Sequence, residues 1–182
     1  INNNKYKSYA GDINHSGRYL LDLIDDILDL SRIEAGRRDI DEEPLHIGDC
    51  MRSAVALLAG KAREKSIAIE VDVPDSVPRV MGEVRAINQI CINLLTNAVK
   101  YSGASRAIEV SLSVDGSEAI VSVRDHGIGI PADAIGKLFE KFYRVDNTAT
   151  RKIGGTGLGL SIVRQIIDAH GGNIQIVFPK RP

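Results

Sequence analysis

The chain has 182 residues, long enough to bury one sizeable core with an appendage, and its 23 basic and 24 acidic side chains leave a formal net charge of −1. With that balance nothing electrostatic argues for nucleic acid or an anionic membrane surface as a partner, and neither is expected. Cys50 and Cys91 form neither a close-spaced metal pair nor a disulfide framework, which fits a reducing compartment, and no apolar run reaches the roughly 20 residues of a membrane-spanning helix.

Residues 1 to 12 are polar and read as the tail of a loop. The start at Ile1, without an initiator methionine or a signal-peptide pattern, gives the expectation of a piece of a longer parent. From Ile13 to Glu34 the periodicity is helical. Ile13, Leu20, Ile24, Ile27 and Ser31 form one stripe, which Leu21, Leu23 and Leu28 widen, while Asp22, Asp25, Asp26 and Asp29 lie off it. Such a face needs a partner, either a packed domain or an intermolecular helical bundle. Gly36 marks the expected end.

Leu45 to Ile47 reads as a short strand and Asp49 to Lys65 as a helix. Ile67 to Val73 alternates as a half-buried strand, and Pro74 and Pro78 bracket a turn. A third helix is expected over Glu83 to Tyr101. Ala107 to Val114 and Ala119 to Arg124 form a hairpin about Asp115 and Gly116. A short helix over Ala134 to Phe142, a last helix from Leu158 to His170 stopped by Gly171 and Gly172, and a closing strand from Asn173 to Phe178 complete the order. Helices alternating with a hairpin-containing sheet give an α+β fold, a two-layer α/β sandwich with helices on one face of the sheet.

The chemistry concentrates in four places. Asn93, Asn97 and Lys100 share one face of the third helix. A carboxamide oxygen is a hard donor suited to magnesium, and a lysine beside it can neutralise phosphate; the same pattern also fits a solvated polar face. Asp125 ends a strand before a glycine-rich turn, where its carboxylate can accept an exocyclic amine such as that of adenine or simply serve the turn. Thr156-Gly157-Leu158-Gly159 precedes the last helix, so free backbone N–H groups and the positive helix end stand at a loop junction that can receive phosphate oxygens. Arg144, Arg151 and Lys152, in or near the intervening loop, can reach phosphates or remain solvated. The glycines themselves need a local reason, since glycine costs chain entropy and packs nothing.

In order and spacing these segments resemble the bacterial sensor histidine kinases. Asn93 to Tyr101 is similar to their N box, Asp125 to Gly129 to the first glycine box, Phe139 to Arg144 to the F box, and Gly155 to Leu160 to the second glycine box. Together they resemble the ATP-binding catalytic domain of the Bergerat, or GHKL, ATPase superfamily. Leu20 to Gly36 resembles the second helix of the dimerisation and histidine-phosphotransfer domain.

The resemblance implies a partial dimerisation and phosphotransfer domain over 1–36 and a catalytic ATP-binding domain over 37–182. It implies that Asn97 coordinates Mg2+, that Asn97 and Lys100 act in catalysis, and that Asn93 and Lys100 lie near the phosphates of ATP. Asp125 would hold the adenine amine beside ordered water, and Gly127 and Gly129 would let the chain curve beneath the base. Tyr101 and Ile130 would border the nucleotide, and Arg144 would approach its phosphate side. Residues 146 to 155 would form a lid, with Gly157 and Gly159 giving close approach at its far hinge, and Thr156, Gly157, Leu158 and Gly159 would bind the nucleotide. His126 stands where Asn or Thr is commoner and reads as a tolerated variation.

The implied reaction is transfer of the γ-phosphoryl of Mg-ATP to a histidine of a homodimeric parent kinase, then to an aspartate of a response-regulator receiver domain. The phosphoacceptor helix is absent from this sequence. His15 has no acidic partner beside it and reads as no phosphoacceptor, and His46 and His170 read as structural. The fragment is therefore expected to bind ATP without phosphorylating itself. A cytoplasmic location, with no membrane contact by this segment and a parent that can be anchored elsewhere, completes the expectation. The competing readings are another GHKL-type ATPase, disfavoured because the N-box helix lacks a well-placed glutamate, and a degenerate nucleotide-sensing or dimerisation module.

Overall fold

The structure, a computed structural model, describes residues 3–34, 41–74, 76–103, 106–145 and 153–178. Helix α1 (Asn3–Glu34) is followed by β1 (Glu43–Leu45), α2 (Ile47–Glu64), β2 (Ala68–Asp72), β3 (Val80–Gly82), α3 (Val84–Tyr101), β4 (Ala107–Asp115), β5 (Glu118–Arg124), a 3-10 turn (Ala132–Lys137) and α4 (Gly159–Ala169).

β4 is the centre of a three-stranded sheet, parallel to β2 and antiparallel to β5. The two antiparallel strands are joined by a tight turn in which Gly116 takes φ +59°. Ile108, Val110 and Leu112 alternate inward along β4 and are almost wholly buried. They pack with Met51, Ala54 and Leu58 of α2 and Cys91, Leu95 and Ala98 of α3 in one core. Each of the larger aliphatic side chains and Met51 contributes roughly 1.5–3 kcal/mol by leaving water. A second cluster joins Ala86 and Ile90 of α3 to Leu158, Ile162, Val163 and Ile166, with Leu23 of α1 packed against it. β1 and β3 form a separate two-stranded antiparallel pair.

The expected two-layer arrangement is present, and four local expectations are corrected. The segment read as a polar loop, up to residue 12, is helical from Asn3. Adding residues to an existing helix costs far less than nucleating one, so a stretch of mostly moderate helix formers is carried as helix even with Gly11, worth about 1 kcal/mol, inside it. The helix expected over Ala134–Phe142 is a 3-10 turn over Ala132–Lys137. Pro131 sets its start, only Ala134 is buried, and Phe142 adopts φ +62°, which no α-helix continues. Asn173–Phe178 has no strand partner among the described residues. β1 lies slightly earlier than expected, and β3 was not foreseen; strands of three residues are set by their pairing more than by their composition.

Candidate functional site

Three of the four boxes meet along α3, each at a different height on its C-terminal half. Nearest the middle, Asn93 Nδ2 donates to Gly159 O at 3.4 Å, linking α3 to the first residue of α4. In the last turn, a Cβ built on Gly155 would lie 3.5 Å from Lys100 Nζ. At the very end, Tyr101 O accepts the Ile128 N–H at 3.3 Å. Asn97 lies between Asn93 and Lys100 on the same face and is half-buried.

Gly127 explains why the first turn needs glycine. A Cβ there would stand 2.4 Å from Tyr101 O and 2.7 Å from Asp125 Oδ1, inside any permissible contact. The Gly127 N–H donates to Asp125 Oδ1 at 2.8 Å, so the exposed carboxylate is aimed by its own turn. Gly129 follows at φ +72°, and half-buried Ile130 leads into the 3-10 turn.

The second glycine turn is held from the other side. Gly157, at φ +77°, passes so close to the Phe142 backbone that a Cβ would lie 2.8 Å from Phe142 C. Arg144 Nη1 donates to Gly155 O at 3.0 Å and Nη2 donates to Ile153 O, so the guanidinium braces the backbone entering the turn. Thr156 Oγ1 accepts the Leu158 N–H at 3.2 Å. Leu158 itself is fully buried and anchors the start of α4 in the second core. Thus the segments bearing Asn93, Asn97, Lys100, Tyr101, Asp125, Gly127, Gly129, Ile130, Thr156, Gly157, Leu158 and Gly159 border one region, with Arg144 at its edge. Arg151, Lys152 and most of the expected lid lie outside the described residues.

Three supporting contacts carried no signal in the sequence. Lys65 Nζ donates to Val99 O at 2.8 Å and Lys100 O at 3.1 Å, across 34 residues of chain. His170 accepts the Glu83 N–H at Nε2 (3.2 Å) and donates from Nδ1 to Ile166 O (2.8 Å), which requires the neutral ring protonated at Nδ1. His126 Nε2 lies 2.9 Å from Glu109 Oε1, and Arg124 reaches Glu109 Oε2 at 3.4 Å. The His126 hydrogen bond is the largest influence and holds the Glu109 carboxyl below its ordinary range; burial opposes it, and the Arg124 charge adds to the lowering. Burial pushes the Cys91 thiol up to about 12, with Cys50 adding to the shift, and burial ahead of the Asp49 charge raises Cys50 as well. Both cysteines are free, buried core residues.

Residues 82–181, just over half of the chain, match the family described as histidine kinase-, DNA gyrase B- and HSP90-like ATPase. A sensor-like histidine kinase of Rhizobium meliloti is 36% identical over 97% of this chain, which spans 34% of that relative's length. Among solved structures, full-length ShkA in complex with AMPPNP is similar with a TM-score of 0.76 and 32% identity, over 91% of this chain and 34% of that one. Histidine kinase ThkA in complex with the response regulator TrrA is similar with a TM-score of 0.71 and 25% identity, over 92% of this chain and 45% of that one. The extent of the family match and the meeting of the boxes on α3 lead to one conclusion: the chain belongs to the family of histidine kinase-, DNA gyrase B- and HSP90-like ATPases, whose nucleotide is ATP.

Proposed function

We propose that this chain binds Mg-ATP between α3 and the two glycine turns, and presents its γ-phosphoryl to a histidine of a parent sensor kinase. The phosphoryl then passes to an aspartate of a response-regulator receiver domain. The observation that carries this reading is the contact of α3 with both turns through Asn93, Lys100 and Tyr101. The similarity to sensor histidine kinases, and to one solved with its response regulator, supports the wider pathway.

Each role follows from the position of a residue. Asp125, exposed and oriented by Gly127, accepts the adenine amine beside ordered water, while Gly127 and Gly129 carry the backbone under the base. Tyr101 and Ile130 border the ring. The Asn97 oxygen is a hard donor that fits Mg2+, an ion that keeps waters and phosphate oxygens and asks few ligands of the protein. When bound, Mg2+ supplies neutralisation of phosphate charge. Asn93, Lys100 and the N–H groups of the Thr156–Gly159 turn at the start of α4 meet phosphate oxygens, and Arg144 braces the hinge on the phosphate side. The catalytic part of Asn97 and Lys100 is to position and neutralise the phosphates; no covalent nucleophile is needed.

Residues 1–36 would serve dimerisation and 37–182 catalysis. The apolar stripe of α1 supports a homodimer: Ile13 is 72% exposed and Leu21 63% exposed in the single chain. We place the domain in the cytoplasm, where Mg-ATP is available. Calorimetric titration with ATP, with and without Mg2+, tests the site. Saturable binding is expected, weakened at least about tenfold by Asp125→Ala and stripped of its Mg2+ dependence by Asn97→Ala. An unaltered isotherm for both variants would refute the assignment.

A further inference from the structure

We propose that Lys65 is a positioning residue for the nucleotide site, fastening the last turn of α3 where that helix meets the first glycine turn. This rests on the nucleotide reading above, and it adds a residue outside all four boxes. Lys65 closes α2, and its own backbone is held firmly. The Ser66 N–H donates to Arg63 O and the Ile67 N–H to Ala62 O, both at 2.9 Å, with Ser66 at φ +56°. This is a Schellman closure, and Ile67 and Ala62 are both buried in the main core.

From that anchor the ammonium reaches the end of a different helix. The last four carbonyls of an α-helix lack intrahelical partners. In α3, Ala98 O receives the Ser102 N–H at 2.9 Å and Tyr101 O receives the Ile128 N–H at 3.3 Å. The two between them, Val99 O and Lys100 O, receive Lys65 Nζ. An ammonium has three donors and can serve both at once, and a cation suits the negative end of the helix.

The consequence follows from Gly127. The Ile128 N–H next to it is bonded to Tyr101 O, and a Cβ on Gly127 would stand 2.4 Å from that same oxygen, so the glycine turn is seated directly on the helix end. Any drift of the last turn of α3 therefore displaces Lys100, Tyr101 and the turn that aims Asp125. Lys65 itself is exposed and adds little to the core, so its removal should alter placement more than folding.

The test compares Lys65→Met, which keeps the apolar stem, with Lys65→Arg, which restores a cation. The milder Lys65→Gln serves if Lys65→Met does not fold. Binding of Mg-AMPPNP is measured by calorimetry at a temperature where denaturation curves show each variant folded, and hydrogen exchange is read at the Ile128 amide. The expected result is a three- to tenfold weaker affinity for Lys65→Met, faster Ile128 exchange, and recovery of both by Lys65→Arg, in keeping with roughly that range for residues acting through others. Wild-type affinity and exchange in Lys65→Met, or in Lys65→Gln if that variant is used, would overturn the proposal. If the wild-type chain itself failed to bind, the nucleotide reading would fall, and unchanged Ile128 exchange in the variant would still separately refute the positioning role.

Discussion

At the scale of single residues, the most informative positions are those where an added methyl has nowhere to go. Gly127 and Gly129 lie two residues apart in one turn, yet they are glycine for different reasons. Gly127 is excluded from carrying a Cβ by the Tyr101 carbonyl, whereas Gly129 has open space around it and a left-handed backbone. Gly127→Ala should therefore cost about 2 kcal/mol through overpacking and shift the adenine-binding turn. Gly129→Ala should cost about 1 kcal/mol from its backbone alone. Urea denaturation of the two variants beside wild type checks the ordering. His126 offers a second residue-level test. Because its hydrogen bond leads the lowering of the Glu109 pKa, His126→Ala should move that carboxyl back up toward its ordinary range, read by carboxyl NMR titration. The sign follows: a lowered carboxyl pKa stabilises the fold above the ordinary carboxylate range, and that stabilisation is lost as pH falls through the folded-state pKa. The variant should therefore lose less stability on acidification.

At the scale of elements, α3 is the beam on which the site is assembled, and its two ends are secured by residues far away in sequence. The C-terminal end meets Lys65, and the N-terminal end meets His170 through the Glu83 N–H. His170→Ala removes an acceptor and a donor from a half-buried junction between α3 and α4, and should lower the unfolding free energy by about 1–2 kcal/mol. A denaturation midpoint equal to wild type would show the junction to be idle. These links also mark where sequence reading stops. The faces of α2 and α3, the β4–β5 hairpin and the start of α4 were legible because each is written in local periodicity or in glycine spacing. Lys65 with Val99 and Glu109 with His126 were not, since nothing local relates residues 34 or 17 positions apart. The start of α1 was misread because a polar segment with one glycine can still be carried as helix once the amphipathic segment after it has nucleated one. Asn173–Phe178 alternates like a strand without a ladder among the described residues, because alternation specifies a face and not a partner.

At the scale of the whole molecule, the chain divides into a core that is buried and a helix that is half-provided for. Leu23 of α1 packs against the α3/α4 cluster, while Leu20, Leu21, Ile24 and Leu28 stay exposed. If that stripe joins a second copy, sedimentation equilibrium should give a concentration-dependent dimer, and Leu21→Asp together with Leu28→Asp should return it to monomer without loss of ATP affinity. A monomer at every concentration would remove the homodimer from the account for this segment.

The convergence of α3 with both glycine turns on one nucleotide is tested most directly by amide NMR during titration with Mg-AMPPNP. Saturable shifts are predicted at Asn93–Tyr101, Asp125–Ile130 and Thr156–Gly159, with the exposed face of β2 and the N-terminal turns of α1 unmoved. Shifts confined to other surfaces, or none that saturate, would contradict it.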